Sequence, residues 1–162
     1  MSKKIDLYSS SYSNYSLETY SEVRLETYGE DYGQTSWVST EESHEIPELL
    51  QLTSDSSVLD IGCGSGGYAV GLAKRIGCRV LGFELNASGV KTANALAEDE
   101  KVSDLVKFEQ HDASEELPYE DSSFDAIYSR MSCVMSLVGE KFSPTHNGCS
   151  NLMGNSSLAT LW

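Results

Sequence analysis

Three acids and a cluster of glycines carry the chemistry that this sequence could perform. Asp60 stands in "VLDIGCGSGG", residues 58–67, two positions ahead of Gly62. Glu84 closes "VLGFE", and Asp112 stands in "QHDAS" beside Ala113. The literal pattern is Gly62-x-Gly64-x-x-Gly67, and Gly66 makes four glycines in six residues, more than a plain strand-to-helix turn requires. Glycines at such a turn let backbone N–H groups approach a ligand closely. An acid beside them repels a pyrophosphate and suits a ligand carrying an ammonium or a sulfonium. A carboxylate at the end of a second strand can accept both hydroxyls of a ribose, which fits any adenosine-bearing ligand. Asp112 can accept from an adenine amino group, and the Ala113 N–H can donate to a ring nitrogen. Each acid also has a plainer reading. Asp60 could cap the loop's own amides, Glu84 could be an exposed strand-end charge, and Asp112 could form a turn.

The elements that must position these residues alternate in type. "SVLDIG" is a short apolar run that suits a strand buried on both faces. "GGYAVGLAKRIG" puts Ala69, Leu72, Ala73 and Ile76 on one helical stripe, and Gly77 can end it. "CRVLGFE" reads as a second strand, and "NASGVKTANALAEDEK" as a second helix with Val90, Ala93 and Ala97 on its apolar stripe. "LVKFEQ" is a third strand, and "SFDAIYSR", after the turn-rich "LPYEDS", a fourth. Strand–helix–strand alternation implies an α/β fold with a parallel sheet and right-handed crossovers.

Ahead of the first strand the pattern is weaker. Residues 1–14 are rich in serine and tyrosine without a period and are expected to be flexible. Leu17 to Tyr28 predicts a short helix with Tyr20 and Val23 on one face. "YGEDYGQTSWVS" predicts a loop. "STEESHEIPELLQL" predicts a helix whose capping box is Ser39 with Glu42, and which Pro47 should bend or restart.

Composition narrows the classes. The 162 residues suit one domain, and 40% of them are hydrophobic, enough for a core. A formal net charge of −14 argues against a nucleic-acid backbone or an anionic membrane surface as a direct partner. No apolar run approaches the length of a bilayer span, and "MSKKIDLYSSSYSNYS" lacks the apolar stretch of a secretory signal. The four cysteines, Cys63, Cys78, Cys133 and Cys149, form no CxxC pair and no metal-like spacing with histidine. Reduced thiols and a cytoplasmic location are the expectation.

The series "VLDIGCGSGG", "VLGFELN", "FEQHDA" and "LPYEDSSFDAIYSR" resembles the successive motifs of class I S-adenosylmethionine-dependent methyltransferases. "YGEDYGQTSW" followed by a helix resembles the small-molecule branch, which includes the phosphoethanolamine, glycine and sterol methyltransferases. The resemblance implies a Rossmann-like fold of which the first four parallel strands are present and later strands are missing. It implies S-adenosyl-L-methionine as cofactor and a small-molecule methyl acceptor. It places Asp60, Gly62, Gly64, Glu84, Asp112 and Ala113 against the cofactor. Tyr15, Gln34 with Thr35, and Arg130 match further contact positions. No catalytic residue and no metal ligand follow from it. A dinucleotide-binding oxidoreductase fragment and a non-catalytic cofactor-binding product are the competing readings, and Asp60 speaks against the first.

The resemblance stops after Arg130, where Met131 stands in place of an expected acid. Residues 131–162 hold one acid and one base, against eight and three in residues 101–130. The expected organisation is therefore a flexible segment over 1–14, the first part of a methyltransferase domain over 15–130, and a divergent tail over 131–162. An open strand edge in such a half-sheet would lower stability, and the resemblance puts the grip on the acceptor after the fourth strand, so weak cofactor binding and little or no turnover are expected.

Overall fold

The computed structural model describes residues 14, 17–29, 31, 40–113, 117–119 and 123–129. Two helices come first, α1 (Glu18–Tyr28) and α2 (Thr40–Leu49). The alternating unit follows: β1 (Ser57–Ile61), α3 (Gly67–Ile76), β2 (Arg79–Glu84), α4 (Ala87–Asp99), β3 (Val106–Gln110) and β4 (Ala126–Ser129). The four strands form one parallel sheet in the order β3-β2-β1-β4. The chain therefore steps outward from β1 to β3 and then returns to the other side of β1. That reversal opens a crevice at the carboxyl ends of β1 and β4, the place where open α/β sheets bind ligands.

Burial explains why these segments became these elements. Val58, Leu59, Asp60 and Ile61 are all buried, as befits a central strand covered on both faces. Ala69, Leu72 and Ala73 of α3 and Ala93 and Ala97 of α4 pack with Val58, Val80, Val106 and Phe108 on one face of the sheet. Leu59, Ile61, Phe83, Leu117 and Ile127 form the cluster on the other. Gly77 ends α3 in the left-handed region, φ +81°, with its N–H on the Ala73 carbonyl, as the stripe predicts.

Two expectations for the first helices need correction. Tyr20 and Val23 are exposed; the buried residue of α1 is Arg24, whose guanidinium pairs with Asp31. Pro47 does not break α2, which runs through it to Leu49. It lies in the last turn, where a missing N–H costs a single bond, and its ring is buried beside Ile46. Leu50 and Leu52 still donate to the carbonyls of Ile46 and Pro47. Ser39 lies outside the described residues. Among the described residues, no helix is long and apolar enough to cross a membrane.

Candidate functional site

The turn after β1 is pinned to the neighbouring strand before it reaches α3. The N–H groups of Gly62 and Cys63 both donate to the Phe83 carbonyl of β2, at 2.8 and 2.9 Å. Gly62, Gly64 and Gly66 have φ of +76°, +60° and +81°, a conformation that L side chains adopt only under strain. The pattern had put its third glycine at Gly67. The backbone demand falls on Gly66 instead, the residue that caps α3, while Gly67 is already helical. Space is equally restrictive there: a Cβ on Gly66 would stand 2.7 Å from both Ala93 Cβ and Phe108 Cζ.

Glu84 ties three strand-end loops together. Its Oε2 accepts from the Gly64 N–H at 3.0 Å and its Oε1 from the Asn86 N–H at 2.9 Å. Its main-chain carbonyl accepts from the His111 N–H at 3.2 Å. It is half-buried, so the reading as a plain exposed charge does not hold. Each carboxylate oxygen keeps a further lone pair, so a ligand hydroxyl can still be accepted there. Asn86 then caps α4, its Oδ1 accepting from Ser88 and Gly89.

The turn is electronegative. Asp60 is buried at 2% exposure, directly below Gly62 in the chain. Burial pushes the Cys63 thiol far above the ordinary cysteine range, and the charges of Asp60 and Glu84 raise it further. No lysine or arginine occurs between Asp55 and Ala73 or between Val80 and Val90. The helix N-terminus alone would accept a phosphate, but the neighbouring carboxylates of Asp60 and Glu84 oppose one.

Asp112 and Ala113 follow β3 and are half-buried. Because the sheet is parallel, they share its carboxyl end with Asp60, Gly62, Gly64 and Glu84. His111 lays its ring against Phe83, centroids 5.1 Å apart, and its buried Nε2 has no hydrogen-bond partner among the described residues. The Ser129 hydroxyl donates to the Ile61 carbonyl at 2.8 Å and ties the end of β4 to β1. Sequence reasoning missed Leu85. It is 55% exposed at this end of the sheet, held between Glu84 and Asn86, with its carbonyl accepting from the Gln110 side chain. A large apolar residue just past a strand-end acid was the available signal. Tyr15, Gln34, Thr35 and Arg130 lie outside the described residues. A cavity of about 330 Å³ lies at the opposite end of the sheet, among Ser57, Arg79, Asp104 and Phe124, away from the glycine turn.

Residues 58–147, more than half of the chain, match the family model described as a methyltransferase domain. The chain belongs to that family. The match runs past Arg130, where the motif resemblance ends, to residue 147. Among curated relatives of this methyltransferase-domain chain, the sterol 24-C-methyltransferase ERG6B of Gibberella zeae is 38% identical over 86 residues, 53% of this chain and 22% of that protein. The 27-O-demethylrifamycin SV methyltransferase of Amycolatopsis mediterranei is 36% identical over 91 residues, 56% of this chain and 33% of that protein. The chain thus spans between about a fifth and a third of these relatives' lengths. The crystal structure of the YcgJ protein from Bacillus subtilis aligns with a TM-score of 0.51 at 27% identity, over 56% of this chain and 37% of that one. Geranyl diphosphate C-methyltransferase from Streptomyces coelicolor shares the fold, with a TM-score of 0.52 at 24% identity over 56% of this chain and 34% of that one.

Proposed function

We propose that this chain binds S-adenosyl-L-methionine and serves methyl transfer to a small-molecule acceptor. The observation that carries the reading is the acid-lined glycine turn, with Glu84 holding Gly64 and keeping acceptor capacity to spare. The carboxylates of Asp60 and Glu84, whose charges add to burial in raising the Cys63 thiol, fit a cofactor with an ammonium and a sulfonium and no phosphate. When bound, that cofactor supplies an electrophilic methyl group.

The roles of the chain's own residues follow from their placement. Gly62 and Gly64 keep the turn free of side chains, so the ligand can meet backbone. Asp60 offsets the ligand's positive charge from below the turn. The remaining lone pairs of Glu84 take the ribose hydroxyls. Leu85 offers an apolar surface to the adenine, while Asp112 and the Ala113 N–H read its edge. Tyr15, Gln34, Thr35 and Arg130 complete the contacts by resemblance. Methyl transfer is well served by holding two reactants in line, which can lower a barrier by several kcal/mol. The acceptor is a small molecule, in keeping with relatives named for a sterol and for a demethylrifamycin. The cytoplasm, with its reduced thiols, is the proposed location; Cys63 and Cys78 are free.

The test pairs binding with transfer. The chain is titrated with S-adenosylhomocysteine and then incubated with methyl-labelled cofactor and a panel of small amines, phenols and sterols. Saturable binding and weak label in at least one acceptor are expected, the chain spanning only part of its relatives' length. Binding without transfer to any acceptor would reduce the proposal to a cofactor-binding module, and no binding would remove it.

A further inference from the structure

We infer that Asn94 is a positioning residue for the glycine turn, acting through Phe108. Asn94 lies on α4 and reaches the edge of the sheet. Its Nδ2 donates to the Phe108 carbonyl at 2.9 Å and to the Val90 carbonyl at 3.1 Å, and its Oδ1 accepts from the Phe108 N–H at 3.2 Å. One amide thus satisfies both backbone groups of a single β3 residue. The reversed amide would set N–H against N–H and oxygen against oxygen, so the orientation is fixed by its partners.

These groups are the ones the sheet leaves open. The Val80 N–H donates to the Leu105 carbonyl, and the His111 N–H donates to the Glu84 carbonyl. Backbone groups alternate in direction along a strand, so odd-numbered residues of β3 face β2 and Phe108 faces outward. Among the described residues β3 is an edge strand. Asn94 does there what a further strand would do.

Phe108 carries the effect to the turn. Its ring is buried, and Cζ would stand 2.7 Å from a Cβ on Gly66. Its Cδ1 would stand 2.5 Å from a Cβ on Gly82, the β2 residue that also faces Cys63 Sγ. The Cβ of Ala93, the neighbour of Asn94, would stand 2.7 Å from the same added Cβ on Gly66. The pair Ala93–Asn94 therefore sets both walls of the space that Gly66 fills. Gly66 in turn caps α3 and accepts from Val70 at 3.0 Å. A shift of Phe108 would reach Gly66 in the turn and Gly82 beneath it.

The experiment uses the full chain, with Asn94→Ala, Asn94→Asp and, as a stability control outside the site, Ile46→Val. Two-dimensional NMR follows the amides of Gly64, Gly66 and Phe108, and calorimetry follows S-adenosylhomocysteine; only this second arm rests on the proposed cofactor reading. In the unmodified chain the Phe108 amide should exchange slowly although it faces an edge. Asn94→Ala should speed that exchange; Asn94→Asp keeps an acceptor for the Phe108 N–H but sets an oxygen against the Phe108 carbonyl, and both variants should move the Gly64 and Gly66 resonances. Affinity should fall roughly three- to tenfold, the size expected for one or two lost hydrogen bonds. Ile46→Val should leave the glycine resonances and affinity in place. Should Asn94→Ala fail to fold, Asn94→Asp decides by the glycine resonances and the affinity. A fast-exchanging Phe108 amide in the unmodified chain, unmoved glycine resonances, or unchanged affinity would each overturn the inference. If the unmodified chain does not bind the ligand at all, the cofactor reading falls, and the glycine resonances still decide the role of Asn94.

Discussion

Glu84 holds its place by what it accepts, and replacing it should show this before any ligand is added. In Glu84→Ala the N–H groups of Gly64 and Asn86 lose their acceptor in a half-buried setting. The chain should lose roughly 1–3 kcal/mol in denaturant unfolding, the range for stranded polar partners; a loss below about 0.5 kcal/mol would mean that water replaces the carboxylate freely. Glu109 gives a titration test on the same sheet. Lys107 and the Tyr119 hydroxyl hold its carboxyl below the usual range. A lowered folded value means that its stabilising contribution is complete above the usual carboxylate range and is lost as the pH falls through the lowered value. Tyr119→Phe should raise the Glu109 midpoint followed by NMR, and an unmoved midpoint would show that Tyr119 plays no part. The acids themselves were legible in the sequence from their places after apolar runs. Their bonding was not, because which amide faces Glu84 depends on the register of β1 against β2, and register is a tertiary fact.

Glycine separates local from tertiary cause at the scale of the element. Gly29 ends α1 at φ +73° with nothing within 4 Å of a Cβ, whereas Gly66 caps α3 at φ +81° against Ala93 and Phe108. Gly29→Ala should cost about 1–2 kcal/mol, the backbone penalty alone. Gly66→Ala should cost at least about 1–3 kcal/mol more, because Ala93 and Phe108 must move as well. Equal losses in denaturant titrations of the two variants would show that the packing under the turn gives way cheaply. The strands and helices from Ser57 onward follow their apolar periods closely, since each is buried by the elements beside it. The segments ahead of them were less legible. The polar pairing of Arg24 with Asp31 buries a charged residue that no apolar stripe announces. Pro47 is accepted because the helix ends within a turn of it, a circumstance that breaker rules do not weigh.

For the molecule as a whole, a central strand flanked on both sides fixes where protection and function should lie. Amides of Val58–Ile61 and Val80–Phe83 should exchange slowest, and those of α1, with Leu17, Tyr20, Val23 and Leu25 exposed, should exchange fast. Slow exchange throughout α1 would show that its exposed apolar residues are covered by another surface. The strand order placed the acids and glycines of the sequence at one end of the sheet, where the motif series had them. On the proposed reading, this end of the sheet receives a cationic, phosphate-free adenosine ligand. Calorimetric titration of the chain with S-adenosyl-L-methionine and, in parallel, with NAD tests it most directly. Saturable binding of S-adenosyl-L-methionine is expected, weakening at least tenfold in an Asp60→Ala, Glu84→Ala double variant, roughly 1.4 kcal/mol or more, with no binding of NAD. NAD binding as tight as that of S-adenosyl-L-methionine, or an affinity indifferent to both carboxylates, would contradict it.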